Sequence, residues 1–537
     1  MPTANSRFMR PADWGATPIP QDCYFNKEGA ITGYQVLNAP RGNALHPVCT
    51  FEDELRGMFH RLRETYPAII LSRRHFKMPY WEPGNPRLPT DYAAVDSPER
   101  LTTTSVTIAL VPNPPSGGQP ELGYRFNGEE LPPLRRELAA AAQQGQPFAG
   151  LAGNIGYYMT TNLIQTGRAP WSHNHRYPPR FHLPPIKSYL GFHLSVDAVT
   201  GEITAGFQGA HPTAVGIRRN GRVEIIPRLQ ISGYRVELGG QELLVESSNP
   251  RATNGEKVVL FTPEFQSPEV TRQKDNWQSY APLIPISAHD ERINFFIANT
   301  GNGQIPLERV VHIWPGTAPL PSFGGVLSLE RGYYEQLFPH SASRELLNQR
   351  VHIRPYGKSD FNAYTQILGG LAPAVLNGAH LYDVATASAI RARLQQYANV
   401  GSPIAEAGRE SRNFALYIRE PAGVLVQTAE RIGWVLFDGR HELSIGASVV
   451  DVARLLRRLE ERGAFGGPLL HAAFVDGGSA MKAYAIRSDK HAVALELLNR
   501  VAAGSRNGSG SDPDGLNLYT VLKLPLNPST FSQGVRK

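Results

Sequence analysis

The strongest chemical signal is Asp476-Gly477-Gly478-Ser479, which follows directly on the apolar run AAFV. An acid followed by two glycines at the end of a buried strand puts a carboxylate at a rim where the backbone can approach a ligand and offer amide donors. The same residues also spell a tight turn, with Asp476 capping the glycines. A second carboxylate, Asp438, opens Asp438-Gly439-Arg440 after the run GWVLF, a pairing usual in hairpin turns. Arg440 and Arg251 carry planar forks that match phosphate oxygens bidentately, or else pair with surface acids. Asn154, among the glycines of GLAGNIGYY, either hydrogen-bonds a ligand or fills a left-handed turn position.

Other reactive residue types give weaker patterns. His173 and His175, with His182 beyond, have the alternate spacing of one strand face, but no cysteine or acid cluster accompanies them. WSHNHRYPP therefore reads as a loop lining or covering a pocket, in which Trp171 and Tyr177 stack on a sugar or serve as packing anchors. No metal and no cofactor is expected. Cys23 and Cys49 allow one disulfide at most and lie in no catalytic motif.

The elements that must hold these residues are mostly short strands. TTSVTIALV, AIILS, KVVLFTPEF and LNLYTVLKL are β-branched or apolar runs, and the turns VTGE and RNGR join further runs into hairpins. RIGWVLFDGRHELSIG reads as a strand, an Asp-Gly turn and a second short strand. Helices are expected over Phe51 to Tyr66 with Thr50 as N-cap, over LPPLRRELAAAAQQG, and in the late segment AVALELLNRVA. Another opens at Ser448 with Asp451 completing a capping box, shows an apolar face at Val449, Val452, Ala453, Leu456 and Leu459, and ends at Gly463. The fold class is thus α+β, with mixed, largely antiparallel sheets flanked by helices.

Composition supports this and excludes much else. Glycine and proline number 51 and 44 in 537 residues, and charged residues make up 19%. That excludes coiled coils and long helical arrays, and 41% hydrophobic residues argue against disorder. The formal charge of +7 is mild, with no block of like charges, so neither nucleic acid nor membrane is an expected partner. No stretch of signal-peptide or membrane-spanning character is present in the sequence, which reads as cytoplasmic by default, with secretion left open.

Several of these segments, in order, resemble the phosphodiester glycosidase family. They are GLAGNIGYY, with Asn154, Gly156 and Tyr158; KVVLFTPEF, with Thr262 and Pro263 and, upstream, Asn249 and Arg251; and FGGVLSL. ILGGLAPAVLNG, VLFDGRHELSIGAS, FVDGGSA and LNLYTVLKL follow. The resemblance spans about residues 105 to 525 and implies one catalytic unit over 101–530, after an N-terminal extension or small α/β subdomain over 1–100. It implies cleavage of a sugar 1-phosphodiester or related anionic glycan, with carbohydrate or sugar phosphate as partner. The catalytic carboxylates would be Asp476, with Asp438 and Glu264 as further candidates. Asn154, Arg251, Thr262, Arg440, Gly477, Gly478 and Ser479 would bind substrate. The chain departs from the family pattern at Ala429-Glu430, where an Arg-Thr pair is usual, with the arginine displaced to Arg431. It departs again at Ala480, after two glycines and a serine rather than three glycines and a serine. Both departures are expected in the pocket. They keep two alternatives in play: a hydrolase or lyase of unphosphorylated polysaccharide, and a non-catalytic glycan-binding or assembly protein.

Overall fold

In the computed structural model, the structure describes residues 48–79, 87–98, 103–125, 133–156, 158–160, 187–189, 192–197, 200–209, 212–262, 283–299, 308–319, 324–339, 343–386, 388–390, 392–393, 419, 421–439, 444–475, 481–500, 518 and 520–527. The Thr103–Pro112 strand shows why the fold layers as it does. All but its last residue are buried, so both of its faces must be covered. Val106, Ile108 and Leu110 pack into a core with Leu455, Leu456 and Leu459 of the Val449–Glu461 helix. Ala109 and Val111 face the other way, into a core with Leu55 and Met58 of the Val48–Thr65 helix and Leu151 and Leu522 of a second sheet. Each leucine so buried contributes roughly 1.5–3 kcal/mol.

The central sheet has 12 strands. Its main path runs Val223–Ile226, Thr213–Arg218, Tyr364–Leu376, His471–Phe474, Ala422–Gln427, Arg431–Phe437, Thr103–Pro112, Ile70–Lys77, Ala93–Val95, and all neighbours on it are antiparallel. Strands on both sides of residue 100 therefore pair within one sheet: His75 lies opposite Ser105. A five-stranded sheet ordered Val493–Leu497, Ala483–Ser488, Ala149–Asn154, Thr520–Pro525, Glu121–Tyr124 stacks on it. The two sheets approach so closely that a Cβ on Gly153 would fall 2.8 Å from the Trp434 ring. A third sheet, Ser247–Ser248, Val258–Phe261, Gly325–Glu330, Arg292–Asn299, Glu308–Pro315, encloses its own core around Phe295 and Leu327. Among the described residues its first pair is the one parallel ladder. The architecture is α+β and largely antiparallel.

Local rules held where the sequence was strongest. Ser448 and Asp451 form the reciprocal capping box, and Gly463 takes φ 67° just beyond the helix. RNGR turns the Thr213–Arg218 and Val223–Ile226 hairpin through Gly221 at φ 79°, while the Asn220 side chain accepts from Arg222 N at 3.1 Å.

Three expectations are corrected. The first helix begins at Val48, which puts Thr50 inside its first turn rather than at the cap. Pro47, directly upstream in sequence, is of a type tolerated only at such a boundary. The segment expected as a late helix contains the Val493–Leu497 strand, paired with Ala483–Ser488. Val493, Leu495 and Leu497 share a face against Leu134 and Leu138 of the Leu134–Gln143 helix, and that alternation outweighs helix propensity. The Arg431–Phe437 strand does not turn into a hairpin at Asp438-Gly439. Both its edges are already taken, by Ala422–Gln427 and Thr103–Pro112.

Candidate functional site

Register places several candidate residues at one rim. Phe437 lies opposite Ala422, and Phe474 lies opposite Val424, so the strands leading to Asp438 and to Val475 end together. In the stacked sheet, Asn154 pairs with Val521, next to Ala483 opposite Gly153. Asp476 to Ser479 lie outside the described residues, but their flanks do not. Val475 N donates to Gly423 O at 3.1 Å, and a Cβ on Gly423 would collide with Met481 Sδ. From Met481 the rim continues through Asn499, whose Nδ2 donates to Met481 O (2.8 Å) and whose Oδ1 accepts from Ala483 N (3.2 Å). Asn154 N donates to Lys482 O at 3.0 Å. Its wholly buried Oδ1 accepts from Thr520 N and Oγ1 at 3.3 and 3.2 Å.

Asp438 is fully buried and heads a polar cluster drawn from four parts of the chain. Oδ2 accepts from Arg73 Nη2 at 2.6 Å and Oδ1 from Arg500 N at 2.8 Å. Arg73 also grips Glu52 of the first helix bidentately, at 2.7 Å through Nε and 2.7 Å through Nη2, and reaches Thr107 Oγ1 at 3.0 Å. Ser444 Oγ donates to Asp438 O (2.7 Å) and accepts from Ser105 N (3.0 Å), while His75 Nδ1 lies 2.9 Å from Ser105 Oγ. Burial pushes the Asp438 carboxyl up, against the pull of Arg73. Burial would raise Glu52 too, but the hydrogen bonds and charge of Arg73 prevail and hold it low. Burial takes His75 down to about 4, so it is neutral at pH 7.

A second polar group, of which the sequence pointed to Thr262 and Asn249 but not to Glu308 or His193, closes one end of the third sheet. Phe261 pairs with Val326, Val326 with Phe296, and Asn299 with Glu308, so Thr262, Asn299 and Glu308 end together. Thr262 is buried; its N donates to Asn249 Oδ1 at 2.8 Å and its Oγ1 accepts from Asn249 Nδ2 at 2.9 Å. Asn249, at φ 52°, thereby extends the parallel ladder with its side chain. Glu308 Oε1 lies 3.3 Å from His193 Nε2, both side chains being almost wholly buried. Burial lifts Glu308 to about 8 and drops His193 to about 3, so the two face one another uncharged rather than as the ion pair their spacing would otherwise suit. A Cβ on Gly206 would fall 2.5 Å from His193 Cε1, so only glycine leaves room for the pair. The signals were a lone acid ahead of the apolar run RVVHIW and a lone histidine in GFHLSV.

His193 pairs with Leu368, and the same long strand pairs with Phe474 at Ala372. Four residues at about 3.3 Å each put roughly 13 Å between these points, spanned by the Gly369-Gly370 landmark. Arg251 is exposed. Glu264, Arg440, Pro263 and the histidine loop with Trp171 and Tyr177 lie outside the described residues, as do Cys23 and the Cys49 side chain. The Ala429-Glu430 departure is not at the rim. Both residues are exposed in the turn after Gln427, at the opposite end of the strand pair from Asp438. Among the described residues no group of three or more His, Cys, Asp or Glu could hold a metal, and no helix is long and apolar enough to cross a membrane.

These sheets define an α+β protein with a large antiparallel centre. No family model matches the sequence, and no curated protein does. Solved structures are similar at low identity. A hypothetical protein from Synechocystis shares 14% identity at a TM-score of 0.35, over 85% of this chain, which spans 62% of that protein's length. A Burkholderia pseudomallei protein shares 14% at a TM-score of 0.38, covering 80% of this chain and 75% of its own. The catalytic domain of zebrafish N-acetylglucosamine-1-phosphodiester alpha-N-acetylglucosaminidase, auto-inhibited by its pro-peptide, shares 10% at a TM-score of 0.29, covering 84% and 83%.

Proposed function

We propose that the chain is a glycosidase-type hydrolase of a sugar 1-phosphodiester or related anionic glycan. The observation that carries this reading is that three segments of the sequence resemblance meet at one rim. GLAGN ends there at Asn154, VLFDG at Asp438, and FV stops at Val475 just before Asp476. Hydrolysis at the glycosidic carbon breaks the bond from C1 to the phosphate oxygen, and water supplies the new hydroxyl. A phosphate monoester leaves as a stable anion, so the site needs cationic or amide donors for it more than a strong acid. It also needs a carboxylate that stabilises or attacks the oxocarbenium-like centre. Asp476 takes that role, the amides of Gly477 and Gly478 and the guanidinium of Arg440 receive the phosphate, and Asp438 holds the rim through Arg73 and Arg500.

The test is turnover of sugar 1-phosphodiesters by the purified protein and by Asp476→Asn. The reading expects release of free sugar and a phosphomonoester, and a loss of at least a hundredfold in the variant. Unchanged turnover in the variant would overturn the role of Asp476. Cleavage of unphosphorylated polysaccharide with no phosphomonoester released would replace the substrate class.

A further inference from the structure

We propose that a cleft wrapping the edge of the Ile70–Lys77 strand, with the Val48–Thr65 helix on one face of the sheet and Arg462 on the other, binds a phosphorylated small molecule. Its volume is about 420 Å³, within the range of about 300–1,000 Å³ typical of small-molecule sites. The helix contributes Arg56 and Arg63, the strand Arg73 and Arg74, and the far wall Arg462, just beyond the Val449–Glu461 helix. Against these five arginines stand two carboxylates, Glu52 and Asp96.

Not all of this charge is available. Arg73 forms the floor: its side chain is buried and committed to Glu52 and Asp438. Arg63 donates to Leu71 O at 3.3 Å, at the edge of hydrogen-bond range. Arg56 sits 3.6 Å from Asp53 in an exposed pair of the kind that contributes little. Arg74 and Arg462 make no side-chain hydrogen bond or ion pair with another described residue, yet they line the same cleft from different elements. His75, also in the lining, is neutral and adds no competing cation.

Arg74 lies opposite Val106 and so shares the face of the Val449–Glu461 helix with Arg462, while Arg56, Arg63 and Arg73 belong to the other face. Like charges lining one cleft repel, and an anion among them relieves that repulsion. The guanidinium forks match paired anionic oxygens, and a phosphate monoester, at about −1.5 to −2, answers two guanidinium groups better than the single charge of a carboxylate or halide. The volume exceeds a bare phosphate, and Phe59, Ala94 and Val95 give it an apolar side. A phosphorylated molecule of sugar-phosphate size fits both features. The inference does not rest on the hydrolase reading: of the lining residues only Arg73, with Glu52 behind it, supports the proposed hydrolase site, through Asp438, and Arg74 and Arg462 take no part in it.

The test is calorimetric titration of the full chain at low ionic strength with glucose 1-phosphate, pyrophosphate and, as a neutral control, glucose. Both anions are expected to bind and glucose is not. Arg74→Gln and Arg462→Gln should each weaken binding about tenfold, and together about a hundredfold. The melting temperature of the unliganded variants should stay at the parental value, which separates lost binding from misfolding. Equal affinity for the two anions assigns recognition to the phosphate alone; tighter glucose 1-phosphate shows that the apolar side reads the sugar as well. No binding of either anion, or undiminished binding in the double variant, would overturn the proposal. Asp476→Asn should leave all these affinities unchanged, so this inference and the hydrolase reading can fail separately.

Discussion

The neutral state of the His193–Glu308 pair can be tested by replacing Glu308 with glutamine and following stability against pH. Lifting the carboxyl from 4.5 to about 8 means that the folded state binds its proton more tightly than the unfolded chain. Stability therefore falls as pH rises through that window and levels off above it. At 1.36 kcal/mol per tenfold the full cost is about 5 kcal/mol, of which ~3 kcal/mol is already felt at pH 7. Glu308→Gln keeps the shape and removes the titration. Relative to the parent, the variant should thus gain stability between about pH 5 and pH 9, on top of a constant offset from the new carboxamide. His193, lowered from 6.5 to about 3, costs stability only as pH falls through that range, and this acid limb should survive in the variant. Chemical-denaturation midpoints of both proteins, measured at matched pH, report the difference directly. A difference that does not change with pH would refute the reasoning. So would a variant that loses ground between pH 4.5 and 6.5, where a charged glutamate–imidazolium pair would hold the parent together.

Three further substitutions address the other buried networks. Arg73→Met leaves Glu52 and Asp438 buried without their cation, and should destabilise the protein by about 3–5 kcal/mol; the loss should shrink as acid neutralises the carboxylates, as read from melting curves at pH 5 and pH 8. Ser448→Ala should cost about 1 kcal/mol of cap. Asp451→Ala should cost at least about 3 kcal/mol, because Asp451 also accepts from Arg419 at 2.8 Å and from Tyr92 Oη at 2.8 Å; comparable melting shifts for the two would contradict this ranking.

Features carried by neighbouring residues were legible in the sequence, and features assembled across it were not. The capping box, the left-handed Gly463 and the RNGR hairpin follow from side chains within a few positions of one another, and the structure has them all. The antiparallel α+β class followed from short apolar runs separated by turns. AVALELLNRVA failed because its leucines satisfy a helix and a strand alike, and the Leu134–Gln143 helix, far away in sequence, decides between them. Asp438-Gly439 read as a turn because nothing local shows that both edges of its strand are occupied. The partner of Asp438, Arg73, lies 365 positions away, and no motif spans such a gap. For the same reason the Ala429-Glu430 departure looked like a pocket change, although it lies at the opposite end of its strand pair.

The order of strands in the central sheet also sets a timetable for synthesis. Thr103–Pro112 lies between Ile70–Lys77 and Arg431–Phe437, so one of its edges has no partner until the chain has grown past Phe437. At about 5–20 residues per second, that wait lasts roughly 15–65 s. Throughout it the nascent protein carries an unpaired apolar strand edge, the kind of surface on which chains aggregate. Yield on expression should therefore depend on chaperone supply more than the stability of the finished protein would suggest.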